Sequence, residues 1–149
     1  PRVDCAAELL ISANLPADYV ADAGQRVDLY RRIALIRTDE QRSDMLDELI
    51  DRFGEPPAEA IALLDIALLR AKASEQGIAE IKQQDGRLLL TFYETDFARL
   101  SALCGDSEFK GRLLLNAGST PYLSLRLNKG EKAMKMAQTL VDKYAATAK

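Results

Sequence analysis

Hydrophobic and charged positions recur with a helical period between Thr38 and Pro57. The apolar positions fall on one side of a helix and are Met45, Leu46, Leu49, Ile50 and Phe53. Four carboxylates fall on the opposite side, at Asp44, Asp47, Glu48 and Asp51. We call these four residues the acidic strip. Thr38 followed by Gln41 predicts a capping box at the start of this helix, and Gly54 predicts its end.

The pattern on either side of this helix predicts further elements. Alternation of apolar and polar residues over 2–11 predicts a half-buried strand. Asp22 is the predicted N-cap of a helix. We expect the apolar face of that helix to carry Val27, Tyr30, Ile33 and Ala34. A longer helix over about 57–76, stopped by Gly77, is apolar on nearly all sides and should therefore be buried.

The second half of the chain changes character. Asp85-Gly86 predicts a tight hairpin between strands over 78–82 and 88–92. Thr95 is the predicted cap of a short helix, with Phe97, Leu100, Leu103 and Cys104 on its apolar side. Two further strands are predicted over 112–115 and 122–127. A last helix over about 130–146 should bury Met134, Ala137, Leu140, Val141 and Tyr144.

Together these elements predict an α+β fold. We expect a helical N-terminal half packed on a small, mainly antiparallel sheet, with a C-terminal helix and with the first strand joining the sheet. The length of 149 residues fits one domain, spanning 1–149. Because the chain starts abruptly at Pro1 inside a predicted strand, we expect it to be excised from a longer polypeptide.

Composition narrows the functional classes. The chain is 48% hydrophobic and 29% charged, and its net charge of −3 argues against general binding to a phosphate backbone. No apolar run approaches the roughly 20 residues of a membrane span, so no membrane partner is expected. Cys5 and Cys104 lie far apart and are predicted to be buried thiols of a reducing compartment.

Motifs for catalysis are missing from the sequence. It contains no phosphate-cradling G-x-x-x-x-G-K-[ST], no G-x-G-x-x-G after a strand and no G-x-S-x-G. It also contains no histidine, which is the commonest general base and metal ligand. We therefore expect no enzymatic activity, no cofactor and no metal in this chain.

The acidic strip itself has three interpretations. It can be a solvated surface, a docking surface for a basic partner, or a site for a divalent cation. The third is disfavoured because oxygen cages for Ca²⁺ come from converging loops and not from one straight helix. Carboxylates packed on one arc repel one another, and an arriving guanidinium relieves that repulsion.

Several short motifs follow one another between residues 15 and 81. They are Leu15-Pro16, Tyr19-Val20, Asp22, Arg26, Tyr30-Arg31-Arg32-Ile33-Ala34, and Glu48-Leu49-Ile50-Asp51-Arg52-Phe53-Gly54 with Pro57. This order resembles the C-terminal TRCF domain of bacterial transcription-repair coupling factors. The remaining residues agree with that family only in the order of their elements.

The resemblance implies a function for the parent protein. Such a parent is a large, cytoplasmic, ATP-driven DNA translocase that removes stalled RNA polymerase and recruits the excision-repair protein UvrA. Its motor, ATP and Mg²⁺ sites and DNA contacts belong to other domains. The C-terminal domain is implied to pack on a UvrB-like domain of the same chain, to mask the UvrA-binding surface there, and to restrain the translocase until polymerase is engaged.

The resemblance also assigns residues. The contact carboxylates of the family lie in its E-L-x-D run, which corresponds to Glu48 and Asp51 here. Asp47 and Asp44 extend the strip by geometry alone. We expect Phe53 in the core and Arg52 at the margin of the strip.

A nucleic-acid-contacting accessory domain is the alternative interpretation. It would use two basic groups, which are Arg26, Arg31 and Arg32 in the first predicted helix and Lys129, Lys132 and Lys135 near the last one. Salt-dependent binding of DNA by the chain would distinguish this alternative from a protein-docking module.

Overall fold

The computed structural model describes residues 4–148 and confirms the α+β class. Its residues group into two compact units. The helical unit is Ile11–Ala71, and the sheet unit comprises the flanking residues up to Leu10 and from Lys72 onward. The expectation of a single domain over 1–149 stays a prediction.

Three helices dominate the helical unit. They are α1 (Ala23–Ile33), α2 (Asp39–Phe53) and α3 (Ala58–Glu75), whose last residues fall in the sheet unit. Their shared core consists of aliphatic side chains, chiefly Leu15, Val20, Leu29, Ile33, Ile36, Met45, Leu49, Ala60, Leu64 and Leu68. Within residues 4–148, no helix is both long enough and apolar enough to cross a lipid bilayer.

The predicted boundaries of α1 and α2 are confirmed by their caps. The Asp22 carboxylate accepts from the backbone N–H groups at the start of α1. At the start of α2, Thr38 Oγ1 accepts from the backbone N–H of Gln41 at 3.1 Å. The helix ends at Gly54, whose φ of 85° lies in the region that glycine tolerates best.

The buried face of α1 differs from the predicted one. Ile33 is buried as expected, but Val27, Tyr30 and Ala34 are exposed, and Leu29 is fully buried instead. Tyr30 uses its hydroxyl to accept a hydrogen bond from the Leu15 backbone N–H at 2.8 Å. The sequence offered two apolar stripes on this helix, and packing against α2 and α3 selected the one containing Leu29.

Five strands form the sheet. They are β1 (Ala6–Glu8), β2 (Ile78–Gln84), β3 (Arg87–Phe92), β4 (Leu113–Asn116) and β5 (Tyr122–Arg126), in the order β1-β2-β3-β5-β4. β1 is parallel to β2, and the other neighbours are antiparallel. The predicted hairpin is confirmed, with positive φ at both Asp85 (52°) and Gly86 (73°), as a type I′ turn requires.

Helices α4 (Phe97–Cys104) and α5 (Ala133–Ala146) complete the sheet unit, with a 3₁₀ turn at Ser107–Phe109. The inner face of the sheet buries Ile78, Ile81, Leu88, Leu90, Leu123 and Leu125. α5 contributes Met136, Ala137, Leu140, Val141 and Tyr144 to the buried residues. The last helix was therefore predicted well, except that Met136 and not Met134 is its buried methionine.

Two smaller expectations for this unit were wrong, and one buried residue was not anticipated. β1 is much shorter than residues 2–11, because its pairing with β2 covers only Ala6 to Glu8; positions 2 and 3 lie outside the described residues. The cap of α4 is Asp96 and not Thr95, since the Asp96 carboxylate accepts from the Arg99 backbone N–H at 3.1 Å. The fully buried Phe109 was not anticipated.

Candidate functional site on helix α2

The four residues of the acidic strip lie in two different environments. Asp44, Asp47 and Asp51 are exposed. Among residues 4–148, no hydrogen bond or ion pair involves any of these three carboxylates. Glu48 is different, because its side chain is only 29% exposed and is engaged by two arginines.

Glu48 is the centre of an ion-paired cluster. Arg32 Nη1 donates to Oε2 at 2.6 Å, and Arg32 Nη2 donates to Oε1 at 2.5 Å, so the guanidinium grips both carboxylate oxygens. Arg52, one turn further along α2, donates from Nη1 to Oε2 at 2.8 Å. The cluster carries two positive charges and one negative charge. Its net charge is therefore positive, whereas the sequence predicted a negative surface at this position.

Helical geometry explains why only Glu48 is engaged. At about 100° per residue, Glu48 projects about 60° from the buried Met45, whereas Asp47 projects about 160° from it. Glu48 therefore lies at the edge of the buried face, within reach of Arg32 near the end of α1. The three aspartates point further from the core.

The same cluster sets the protonation of Glu48. The hydrogen bonds from Arg32, with a smaller contribution from Arg52, lower the pKa of the Glu48 carboxyl to about 2. In return, the hydrogen bond to Glu48 raises the pKa of the Arg32 guanidinium. Glu48 consequently stays ionised, and the cluster stays intact, through neutral and mildly acidic pH.

The end of α2 is anchored by Tyr19. Its hydroxyl donates to the backbone carbonyl of Gly54 at 2.8 Å, just past the last residue of the helix, and lies 3.2 Å from the Leu49 carbonyl. The Tyr19 ring lies 5.8 Å from the Phe53 ring, and the Arg52 guanidinium lies 5.0 Å from that ring on its face. Phe53 packs against the core as expected, and Arg52 is structural as expected.

Sequence reasoning missed two parts of this site. Arg32 was considered only as part of a basic group that could contact nucleic acid, and Tyr19 only as part of a family motif. Both residues lie in the motifs quoted above, but their partners are 16 and 35 positions away in the chain. No periodic pattern reports contacts of that kind.

Other reactive groups in the described residues offer little chemistry. Cys5 is buried and Cys104 half-buried, and burial raises the pKa of the Cys104 thiol. The described part of the chain contains no cluster of three or more cysteine, aspartate or glutamate side chains arranged to hold a metal ion. The acidic strip therefore presents charge to its surroundings and, within the described residues, no metal-binding cluster.

Comparison with known proteins gives this geometry a context. A family model described as the TRCF domain matches residues 9–103, which include the whole of α2. The chain belongs to the TRCF domain family. The match covers the helical unit and part of the sheet unit, and every residue of the Glu48 cluster lies inside it.

Relatives of this TRCF domain are transcription-repair-coupling factors. The one from Escherichia coli K12 is 36% identical over 98 residues, covering 66% of this chain. Those from Staphylococcus epidermidis RP62A and Bacillus subtilis 168 are 37% and 32% identical over 81 and 90 residues, covering 54% and 60% of this chain. The matched segments span only 7–8% of the length of these relatives.

A solved structure extends the likeness to nearly the whole fold. The crystal structure of the C-terminal domain of a transcription-repair coupling factor superposes with a TM-score of 0.79 and 20% identity. The superposition covers 98% of this chain and 94% of that one. At this identity the likeness establishes the shared fold, including residues 104–148, which the family model leaves unmatched.

Proposed function

We propose that this TRCF domain is a regulatory protein-interaction module of a transcription-repair coupling factor. It docks through the acidic strip on a UvrB-like domain of the same parent chain and masks the surface that binds UvrA. In this way it restrains an ATP-driven DNA translocase until stalled RNA polymerase is engaged. The observation that carries the proposal is the set of three exposed, unpaired aspartates on α2 beside the Glu48 cluster, inside the segment that defines the family.

The four strip residues have two roles in this proposal. Asp47, Asp51 and Asp44 face basic groups of the UvrB-like domain directly, because their carboxylates have no partner within the described residues. Glu48 acts at the margin of the contact, where it holds Arg32 and Arg52 in place. A partner with arginines opposite the aspartates would relieve the repulsion among them.

Such a contact is suited to release. Exposed ion pairs stabilise a complex by only about 0–1 kcal/mol each. A tether within one chain raises the effective concentration of the partner to roughly the millimolar range. Weak pairs are therefore sufficient to hold a closed state and still allow UvrA or polymerase binding elsewhere to open it.

In this proposal the chain itself is not an enzyme. The ATP and Mg²⁺ sites of the translocase, its DNA contacts and its polymerase contacts belong to other domains of a cytoplasmic parent protein. The domain contributes a masking surface and needs no cofactor of its own.

The nucleic-acid alternative receives less support from the basic residues of the helical unit. Arg26 donates to the Val20 carbonyl at 2.7 Å and to the Ala21 carbonyl at 3.1 Å, and Arg32 grips Glu48. Of that trio, only Arg31 is exposed and without a partner among the described residues. We expect the isolated chain to show no binding to double-stranded or single-stranded DNA at physiological salt.

Paired substitution in the parent protein tests the proposal. Asp47→Asn with Asp51→Asn should raise the affinity for UvrA and the basal translocation rate, because the mask is weakened without loss of fold. Asp142→Asn, which removes an exposed carboxylate from α5, is the matched control and should change neither. Unchanged UvrA binding in the paired variant would show that the strip does not mask that surface.

A further inference from the structure

The outer edge of the sheet has the properties of a docking site. β4 is an edge strand that pairs only with β5. Its sequence Leu113-Leu114-Leu115-Asn116 contains none of the charges or prolines that usually protect such an edge. Leu114 is 61% exposed and lies on the outer face of this strand.

Three arginines lie next to one another across the strands at the start of β4. Arg87 of β3 is directly opposite Arg126 of β5, and the Arg126 backbone N–H donates to the Arg112 carbonyl at 3.2 Å. Arg112 is ion-paired with Glu131. Within the described residues, neither Arg87 nor Arg126 pairs with a carboxylate. Like charges directly opposite one another are unfavourable, so this position favours an added anion.

A groove of about 520 Å³ on the outer face of the sheet connects Arg87 with the exposed Leu114. Leu89, Leu114 and Tyr122 supply apolar surface to this groove. Arg87 extends along it, because its Nη1 donates to Ser124 Oγ at 3.1 Å. Asp85 also lines the groove, but it forms no ion pair with Arg87. The groove therefore combines an apolar section with a polar end formed by Arg87 and Asp85.

We propose that β4 receives an extended, acidic segment of a partner protein as a sixth strand. Main-chain hydrogen bonds to the free side of β4 would supply affinity, and alternate side chains would supply specificity. On the outer face, the segment would place an apolar side chain beside Leu114 and, two residues away, a carboxylate beside Arg112, from where it faces Arg126 on the next strand. This inference is independent of the acidic strip, which belongs to the helical unit.

The chemistry of the edge favours this occupant over two others. A second copy of the chain would offer its own β4, which carries no carboxylate to neutralise the arginines. A nucleic acid would satisfy the arginines with phosphates, but it has no peptide backbone to pair with an edge strand. Of the three occupants, only an acidic strand can both form main-chain hydrogen bonds with β4 and neutralise the unpaired positive charge.

Selection from a random seven-residue peptide library on phage tests the proposal, with the intact chain immobilised at physiological salt. We expect enriched peptides to alternate apolar residues with others and to carry an aspartate or glutamate two positions from an apolar residue. A synthetic copy of an enriched peptide should lose at least tenfold in affinity with Leu114→Glu and with Arg126→Glu. Leu10→Glu, at a residue that is 75% exposed near the opposite edge of the sheet, should leave the affinity unchanged.

Each other result would overturn the proposal. These results are the absence of enrichment, enrichment of basic peptides, and an affinity that Leu114→Glu does not change. Sedimentation of the chain alone tests whether a second copy occupies the edge. If the chain binds no peptide but self-associates, and Leu114→Glu abolishes that self-association, the edge is a dimer interface. Binding of a single-stranded oligonucleotide that Arg126→Glu abolishes would assign it to nucleic acid. Thermal unfolding of each variant verifies that the fold is retained.

Discussion

Arg32 and Glu48 form a two-pronged ion pair between α1 and α2, with Nη–Oε distances of 2.6 and 2.5 Å. This pair ties together two helices of the helical unit. It also engages Glu48, one of the two carboxylates that the sequence analysis predicted to contact a partner. The acidic strip is therefore not uniformly negative. Its three aspartates have no partner within the described residues, whereas Glu48 is bound by the guanidinium groups of Arg32 and Arg52.

The first prediction concerns the pH dependence of stability. Because the folded pKa of Glu48 lies at about 2, below its ordinary value, the ion pairs contribute stability above pH ~4.5 and lose it as the pH falls towards 2. Glu48→Gln should lower the free energy of unfolding at pH 7 by about 1–2 kcal/mol, allowing for solvent screening. It should also flatten the stability profile between pH ~4.5 and 2.

Urea unfolding across that pH range measures the effect. Asp142→Asn is the control, since Asp142 is exposed and has no partner among the described residues. If Glu48→Gln and the wild-type chain lost stability in parallel as the pH fell, the cluster would not be formed in solution.

The second prediction separates the two arginines. Arg32→Ala should destabilise the helical unit more than Arg52→Ala, because Arg32 holds both oxygens of Glu48 and Arg52 holds one. Arg32→Lys should recover little of the loss, since an ammonium cannot reproduce the forked geometry. Chemical denaturation of the three variants gives the order, and equal losses for both alanine variants would contradict the bidentate assignment.

The third prediction concerns the salt dependence of docking. Binding of the chain to an isolated UvrB-like domain should weaken as salt rises, because exposed charges are screened over about 10 Å at 0.1 M. Asp47→Asn with Asp51→Asn should weaken binding at low salt and reduce its salt dependence. Titration calorimetry of both proteins at two salt concentrations tests this, with Asp142→Asn as control. Identical salt dependence in the paired variant would remove these aspartates from the interface.

The fourth prediction concerns the end of α2. Tyr19→Phe keeps the ring beside Phe53 but removes the hydroxyl that donates to Gly54. We expect a loss of about 1 kcal/mol in the free energy of unfolding, the usual value for one net hydrogen bond. Leu49→Ala, which removes a fully buried side chain, is the reference variant and should lower the free energy of unfolding by about 2–5 kcal/mol. An unchanged stability in Tyr19→Phe would contradict the anchoring role.

Local sequence signals predicted most of the elements. The caps at Asp22 and Thr38, the glycine at position 54 and the Asp85-Gly86 turn each act within a few residues. Their hydrogen bonds and backbone angles depend on neighbours in the chain, so the sequence alone was sufficient to place them. Local signals did not distinguish Asp96 from Thr95 as the cap of α4, because both residue types cap helices.

The sequence by itself determined that α2 is amphipathic and that Asp44, Asp47 and Asp51 lie on its outward face. It also carried the motifs of the TRCF family. Only the tertiary structure decided which carboxylates are free, since that depends on where Arg32 of α1 meets α2. It also decided that Leu29 is the buried residue of α1 and that Tyr19 closes the end of α2. These contacts join residues 16 to 35 positions apart. They follow from the packing of whole helices against one another, which helical periodicity within a single segment does not encode.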